Sequence, residues 1–278
     1  MGLDGDNSCA RHKLGLKNLI YHYTSLSSLL SLVTGVDEDM KIFNFHATHA
    51  AFLNDPSENK LIMSTLTDLG VKESLIELCD GLGGTPYIIS FCNTENNLSM
   101  WRLYGNKASG IALGFDENNI INYYKTNGIM SLVIHEKCKY TTLPQLKRTI
   151  KDSKDYQEWK SSLSIREDLL PIARIMMNSL MYKYKSYEYE DEFRLGFKDV
   201  VSKEFRINAK GLLIPYKSMP IPVSSLKSIA IGPSADFDKT KFSINKLLQT
   251  KNCLSRVEEN CEVDSFIHQT NIPYSNIY

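Results

Sequence analysis

The sequence predicts an α+β fold with mixed, mostly antiparallel sheets and flanking helices. Short apolar runs between polar or glycine-containing segments indicate strands, and apolar residues at helical spacing indicate helices. Strands and helices do not alternate strictly, which favours α+β over a doubly wound parallel sheet. The 278-residue chain shows neither a linker nor a repeat, so we expect one domain over 1–278 with its core at about 18–250.

The elements are predicted from local signals in chain order. A run of β-forming residues at 19–23 is followed by Ser25, a preferred N-cap residue, and by leucines at helical spacing until Gly35. Asn54, Asp55 and Pro56 fit the start of a second helix, because proline suits the first helical turn. Further strands are predicted at 42–45, 87–92, 110–115, 131–140, 193–197, 212–214, 221–223 and 228–231, and further helices at 71–82, 99–104, 143–184 and 242–248.

Composition limits the classes of partner. Lys+Arg and Asp+Glu both number 32, so the bulk charge provides no long-range attraction to nucleic acid or to an anionic membrane. No apolar stretch approaches the roughly 20 residues of a membrane span, and we expect no membrane partner. The six cysteines are scattered without a C-x-x-C pair and no signal peptide is visible, so we expect a cytoplasmic protein without a disulfide framework.

The common nucleotide and metal motifs are missing. The segment from Gly105 to Gly110 lacks the ending of a P-loop, and no G-x-G-x-x-G follows a strand, so a bound NAD would not occupy a Rossmann fold. His46 and His49, three residues apart, could share a helical face as metal ligands, but further ligands are not evident. We interpret them as partly exposed histidines near a helix start, and no metal is predicted.

An acidic cluster precedes the strand predicted at 193–197. On an extended chain, Glu190 and Glu192 would point to one side and Asp191, between them, to the other. The cluster is either a solvated, charged loop entering the strand or a carboxylate site. Arg194 can pair with one carboxylate, and two glutamates entering a strand suit the binding of a sugar hydroxyl and a developing positive charge.

Three other polar or aromatic positions allow two interpretations each. His22, beside Tyr23 and Thr24 at a strand-to-helix corner, is either a hydrogen-bonded packing residue or a binding residue. Trp101 is either a stacking platform for a base or a core residue. Asp55 is either an N-cap residue or part of a pocket.

Four motifs in this order resemble an uncharacterised bacterial family that carries a domain of unknown function. They are Tyr-His-Tyr-Thr at 21–24, Asn-Asp-Pro at 54–56, Met-Trp-Arg-Leu-Tyr at 100–104 and Glu-Asp-Glu-Phe-Arg at 190–194, and the resemblance covers about Leu19 to Gly232. The same layout is similar to the His-Tyr-Glu branch of the ADP-ribosyltransferases. That similarity implies a split β core of the ADP-ribosyltransferase type.

The resemblance implies roles for particular residues. In that branch a histidine on the first strand holds the adenosine-side ribose of NAD, which would be His22 with Thr24 assisting. A tyrosine stacks on the nicotinamide; Tyr104 is the candidate and Tyr23 its rival. A glutamate on a later strand grips the nicotinamide ribose, which would be Glu192.

The implied activity is glycosyl transfer from NAD by an ADP-ribosyltransferase, or by a NAD glycohydrolase when water is the acceptor. A bacterial toxin or phage-conflict effector is expected, acting in antiviral defence on a nucleic acid or protein acceptor and controlled by an antitoxin or other regulatory partner. The alternatives are a non-catalytic nucleotide or nucleic-acid binding module, and a metal-dependent nuclease. The expected catalytic residues are Glu190, Glu192, His22 and Tyr104, and the expected NAD-binding residues are His22, Tyr23, Thr24, Asn54, Asp55, Ser90 and Trp101.

Overall fold

The fold combines helices with strands that pair mostly in antiparallel fashion, as the sequence predicts. A split β core of the ADP-ribosyltransferase type stays a prediction. The computed structural model describes residues 19–55, 58–83, 86–130, 133–162, 165–197, 204–208, 210–255 and 266–274.

The elements carry the following labels in chain order. The strands are β1 (Leu19–Thr24), β2 (Ile42–His49), β3 (Tyr87–Cys92), β4 (Ile111–Asp116), β5 (Val133–Lys137), β6 (Lys139–Thr141), β7 (Tyr182–Tyr184), β8 (Glu192–Phe197), β9 (Glu204–Ile207), β10 (Leu213–Pro222), β11 (Leu226–Ile231) and β12 (Ile267–Gln269). The α-helices are α1 (Leu26–Thr34), α2 (Glu58–Asp68), α3 (Glu73–Gly83), α4 (Leu98–Leu103), α5 (Glu117–Thr126), α6 (Leu143–Lys151), α7 (Lys154–Ser161), α8 (Ile165–Met177), α9 (Phe237–Leu248) and α10 (Asn252–Ser255).

The chain forms two compact units, each assembled from separated segments. The first unit contains Met1–Asn44, Phe91–Met130 and Pro220–Tyr278, and the second contains Phe45–Ser90 and Ser131–Met219. The unit boundaries fall inside β2, β3 and β10, so these three strands contribute to both units. One domain over 1–278 stays a prediction.

The first unit is built around β1 and β4. Its strands follow the order β12-β11-β4-β1-β3, and β1 runs antiparallel to β4 with His22 opposite Leu113. The short β12 is the exception in direction, since it pairs parallel with β11. After β1 the chain turns into α1, where the Ser25 hydroxyl accepts a hydrogen bond from the Ser28 N–H, which confirms the predicted N-cap.

The second unit contains the paired orders β3-β2-β10-β9 and β3-β8-β5. Helices α2, α3, α6, α7 and α8 bury their apolar faces together in one core cluster. The segment predicted as helical over 143–184 therefore divides: α8 ends at Met177, and β7 takes the last three residues, Tyr182–Tyr184. Pro56 of the predicted helix start lies outside the described residues, and α2 is described from Glu58 onward.

His46 and His49 both lie on β2, and His49 also precedes a short 3-10 helix at Ala50–Phe52, where its Nδ1 accepts a hydrogen bond from the Ala51 N–H at 3.3 Å. The interpretation as a histidine near a helix start is therefore confirmed for His49, whereas His46 lies within the strand. The strand predicted at 42–45 continues to His49, because buried Phe45 and Ala47 extend the alternation of inward-facing residues. Residues three apart on a strand point to opposite faces, so the two imidazoles do not share a face as they would on a helix.

Candidate functional site

Several buried charged groups surround Glu192, the first residue of β8, in the second unit. Its side chain is almost fully buried, and Arg194 Nε donates to Oε1 at 2.9 Å while Nη2 donates to Oε2 at 2.8 Å. Residues two apart on a strand face the same side, so β8 itself positions this two-bonded ion pair.

A lysine joins this pair to the second glutamate. Lys183 on β7 donates from Nζ to Glu192 Oε2 at 2.9 Å and also to Glu190 Oε2. All three side chains are about one-twentieth exposed. Together with Arg194 they form the carboxylate cluster: Lys183, Glu190, Glu192 and Arg194. Its two negative and two positive charges balance.

Further polar groups enclose Glu192. The Ser90 side chain is hydrogen-bonded to its carboxylate, and Cys138 Sγ donates to Oε2 at 3.5 Å. The Glu192 backbone N–H donates to the Tyr140 hydroxyl at 2.7 Å. On the arginine side, Nη1 donates to the Leu180 carbonyl at 2.6 Å. The carboxylate is therefore held at a fixed position and orientation.

The same environment sets the charge of Glu192. Burial alone raises the pKa of a carboxyl group, but the cations Arg194 and Lys183, with hydrogen bonds from Arg194 and Ser90, lower the pKa of Glu192 to about 2. Glu192 is therefore ionised at every physiological pH, even though it has almost no contact with solvent.

Of the two interpretations of the acidic cluster, the solvated loop does not hold for Glu190 and Glu192, which are both buried. Glu190 ends a short 3-10 helix and Glu192 begins β8, and both are buried, whereas Glu188 is half exposed and bonded to Lys185. Asp191 between them adopts φ 41°, a left-handed conformation that turns the chain from the 3-10 helix into the strand.

Two further expected residues of the second unit differ in exposure. Asp55 is buried. The pKa of the Tyr187 phenol is raised, chiefly by burial and next by the negative charge of Asp55, which lies close to it. Tyr187 lies beside the carboxylate cluster, with Lys183 Nζ 5.0 Å from the centre of its ring. Asn54, by contrast, is exposed. Ser90, Glu190, Glu192 and Asp55 therefore belong to one neighbourhood of this unit.

In the first unit, β1 carries His22, Tyr23 and Thr24. The His22 ring is half-buried and meets Phe91 edge-on, with 5.8 Å between ring centres. Tyr23 is buried: its hydroxyl donates to the Thr94 carbonyl at 2.8 Å and accepts from the Asn97 N–H at 3.3 Å. Tyr23 thereby anchors the loop after β3.

Trp101 and Tyr104 come from α4 and its C-terminal end. Trp101 has no exposed surface, its indole N–H donates to the Glu95 carbonyl at 2.8 Å, and its ring meets Tyr23 edge-on at 4.9 Å. Of the two interpretations of Trp101, the structure shows the core residue. Tyr104 is half-buried against the same cluster, so β1 and α4 bring Tyr23, Trp101 and Tyr104 together.

A left-handed turn follows Tyr104 and reaches the end of β1. Asn106, Lys107 and Ala108 have φ values of 50°, 54° and 70°, a conformation that costs non-glycine residues roughly 1–2 kcal/mol each. A Cβ on Gly110 would lie 2.3 Å from the Thr24 carbonyl oxygen, so the end of β1 packs directly against this segment. Strained backbone of this kind concentrates at functional sites.

Sequence reasoning missed Lys183, which supplies the cation between the two glutamates. A signal was present: the alternation Tyr182-Lys183-Tyr184 shortly before an acidic cluster puts a single lysine on one face of a short strand. Within the described residues, no group of three His, Cys, Asp or Glu side chains is placed to hold a metal ion. None of the helices in that part of the chain has the length and apolar composition needed to cross a bilayer.

Comparison with known proteins gives one match. The sequence model of a family described as Protein of unknown function (DUF2971) matches residues 100–195. This segment includes Trp101, Tyr104 and the whole carboxylate cluster, and His22 precedes it. No curated protein and no solved structure matches the chain.

Proposed function

We propose that this protein cleaves the N-glycosidic bond of NAD and transfers ADP-ribose to an acceptor, with Glu192 as the carboxylate that stabilises the reacting ribose. One observation carries the proposal: Glu192 is a buried carboxylate held between two cations, with Arg194 at 2.9 and 2.8 Å and Lys183 at 2.9 Å, which lower its pKa and keep it ionised. A fixed charge in a site that excludes water stabilises a developing opposite charge far better than a solvated one.

The chemistry matches this requirement. Loss of nicotinamide leaves positive charge shared between the anomeric carbon and the ring oxygen of the ribose, as in glycoside hydrolysis. An acceptor nucleophile then adds at the anomeric carbon and releases its proton. Water in that position gives NAD hydrolysis.

The resemblance to the His-Tyr-Glu enzymes supplies the remaining roles. His22 and Thr24 would hold the adenosine-side ribose, and Tyr104 would stack on the nicotinamide. Tyr104 suits this role better than Tyr23, whose ring is buried and whose hydroxyl is engaged by the Thr94 carbonyl and the Asn97 N–H. The left-handed turn next to Thr24 adds support for a binding role at this end of β1.

A second candidate is a nucleotide or nucleic-acid binding module without catalysis. The charge balance of the carboxylate cluster favours it, since two glutamates with two cations form a complete buried network that a structural role alone would explain. For the nuclease alternative, Lys183 already provides the cation between Glu190 and Glu192. A metal ion would have to displace this ammonium group.

The cellular setting extends the same proposal. A NAD-consuming transferase of this type would act as a bacterial toxin or phage-conflict effector on a nucleic acid or protein, and an antitoxin or other regulatory partner would restrain it. The resemblance of the four motifs is the support for this role.

The proposal is tested by incubating the folded protein with NAD labelled in its adenylate part, with and without cell lysate. Transfer predicts label on a macromolecule, hydrolysis predicts free nicotinamide and ADP-ribose, and nuclease or protease digestion of the labelled product identifies the acceptor class. Calorimetric binding of NAD without either product would favour the binding module. Nucleic-acid cleavage abolished by a chelator would favour the nuclease.

A further inference from the structure

In the second unit, the hairpin of β9 and β10 presents a strand edge to which no other described strand is paired. Among the strands that the structure describes, β9 is the last of its order and pairs antiparallel with β10. Phe205 stands opposite Pro215, which has no N–H, so this is a non-hydrogen-bonded pair of the ladder. The neighbouring pairs, at Glu204 and Arg206, are then the hydrogen-bonded ones.

The backbone N–H and carbonyl of Phe205 consequently point away from β10. The same alternation continues at Asn208, whose N–H donates to the Leu212 carbonyl at 3.0 Å and so points towards β10. The carbonyl and N–H of Phe205 and Ile207 therefore face outward along the open edge. Such an edge is a template for pairing with another strand.

The side chains of this edge are unusually apolar for a surface. Phe205, Ile207 and Leu213 are 58%, 69% and 58% exposed. Ile207 lies directly opposite Leu213, and Phe205 lies directly opposite Pro215. Because residues opposite each other and residues two apart share a face, these four side chains occupy one face of the hairpin. Apolar surface gathered in this way on an unpaired edge marks an interaction site.

The charges of β9 identify the partner. Glu204 and Arg206 flank Phe205 and share the opposite face, where Glu204 accepts from the Ser218 hydroxyl at 2.7 Å and Arg206 donates to the Thr48 hydroxyl at 2.8 Å. An antiparallel copy of β9 centred on Phe205 would place each Glu204 opposite the partner's Arg206. Centred on Ile207, the pairing would place Arg206 opposite the partner's Asn208 and lose this complementarity.

We propose that a second copy of this chain binds here, with the two β9 strands pairing antiparallel around a two-fold axis at Phe205. The two Phe205 residues exchange backbone hydrogen bonds, and their rings pack side by side on the apolar face. The two pairs of Glu204 and the partner's Arg206 occupy the adjacent non-hydrogen-bonded positions, where side chains approach most closely. Such an isologous interface is closed and involves one patch per subunit.

The short strand makes this a transient dimer, with a dissociation constant on the order of 100 μM. This inference does not depend on NAD chemistry. Sedimentation velocity from about 1 μM to about 1 mM should show a reversible monomer–dimer equilibrium. A wild-type chain that stays monomeric over this range overturns the proposal, as does a Phe205→Asp variant that dimerises like the wild type.

Charge reversal makes the test specific. Glu204→Arg alone places arginine opposite arginine, and Arg206→Glu alone places glutamate opposite glutamate, so each variant should be monomeric by itself. Mixed together, the two should form a heterodimer, and the double variant E204R/R206E should dimerise like the wild type. Circular dichroism verifies folding of each variant. Failure of both the mixture and the double variant to dimerise overturns the proposed register and partner.

Discussion

Arg194 and Glu192 form a two-bonded ion pair between residues two apart on the same strand, and both side chains are almost completely buried. A buried charge is stable only while its partner remains. Lys183 adds a second cation to the same carboxylate, so the cluster couples β7 to β8 through Glu192.

Removing the arginine should therefore destabilise the protein strongly. We expect Arg194→Met to lower the free energy of unfolding by about 3–5 kcal/mol, because it removes one of the two cations paired with the buried Glu192 carboxylate. Lys147→Met is the matched control: its 3.5 Å pair with Asp68 is exposed, and its loss should change stability by less than about 1 kcal/mol. Urea unfolding measures both. Equal stability of the two variants would contradict a buried network.

Stability should fall in acid in a way that Glu192 explains. The pKa of Glu192 is lowered from 4.5 to about 2 in the folded protein, so its contribution is complete above about pH 5 and is lost as the pH falls towards 2. Between pH 6 and pH 3 this loss should amount to about 2 kcal/mol. The measurement is the free energy of unfolding across that range.

Glu192→Gln is the control for this pH dependence. It should be less stable than the wild type at pH 7 but lose less stability on acidification, since the titrating group is gone. Parallel profiles for the two proteins would assign the acid loss to other carboxyl groups.

Glu192 should be needed for NAD turnover. We expect Glu192→Gln to reduce the rate of nicotinamide release by a factor of about 100 to 1,000, with a much smaller effect on NAD affinity, because the contact strengthens as positive charge develops. Since the variant also loses stability, rates must be compared at a temperature where circular dichroism shows it folded.

Two further glutamates make this experiment decisive. Glu188→Gln alters a solvated residue and should keep full activity. If Glu190→Gln abolishes turnover while Glu192→Gln keeps it, the catalytic role passes to Glu190. If Glu190→Gln and Glu192→Gln both keep full activity, the carboxylate cluster has a structural role and no catalytic one.

Substitutions of Tyr23 and Tyr104 should have different effects, on stability for Tyr23 and on NAD turnover for Tyr104. Tyr23→Phe should lower stability by about 1–3 kcal/mol, because the Thr94 carbonyl and the Asn97 N–H lose their partner, and it should keep NAD turnover. Tyr104→Ala should reduce turnover, and Tyr104→Phe should retain it because stacking needs only the ring. Thermal unfolding and nicotinamide release distinguish these outcomes. Loss of turnover in Tyr23→Phe with retention in Tyr104→Ala would reverse the assignment.

Gly110 should tolerate no side chain. Its Cβ would lie 2.3 Å from the Thr24 carbonyl oxygen and 2.9 Å from the Gly105 oxygen, both of them backbone atoms that cannot rotate away. We expect Gly110→Ala to lower stability by more than about 2 kcal/mol. Gly81→Ala, in α3 with open space around it, should instead raise stability by up to about 1 kcal/mol. Thermal unfolding of the pair measures the difference, and similar melting temperatures would contradict it.

The sequence predicts best where the signal is local. The α1 helix is recognised because its N-cap Ser25 and its apolar spacing lie within one short segment. The pairing of Arg194 with a glutamate could be expected for the same reason, since the two residues are neighbours on β8. The α5 helix was missed, although Asp116 caps it, because the apolar strand before it dominates the local pattern.

Burial of Glu190 and Glu192 is a tertiary property and could not be predicted in this way. Positions 188–192 hold four acidic residues, a density that indicates solvent exposure, and the cations around Glu190 and Glu192 change that outcome for these two. Lys183 comes from another strand, and Ser90 comes from a segment about a hundred residues earlier in the chain. The parallel partner of β11 was missed for a related reason: β12 is three residues long, and β11 lies far from it in sequence.

The segment that matches the family is not a self-sufficient piece of the molecule. Residues 100–195 contribute 100–130 to the first unit and 131–195 to the second. Excised alone, they would carry β4 without β1 and β11, the strands on either side of it, and most of β8 without its neighbour β3. Expression of the excised segment should yield aggregation-prone or protease-sensitive material, so biochemical work on this sequence calls for the whole 278-residue chain.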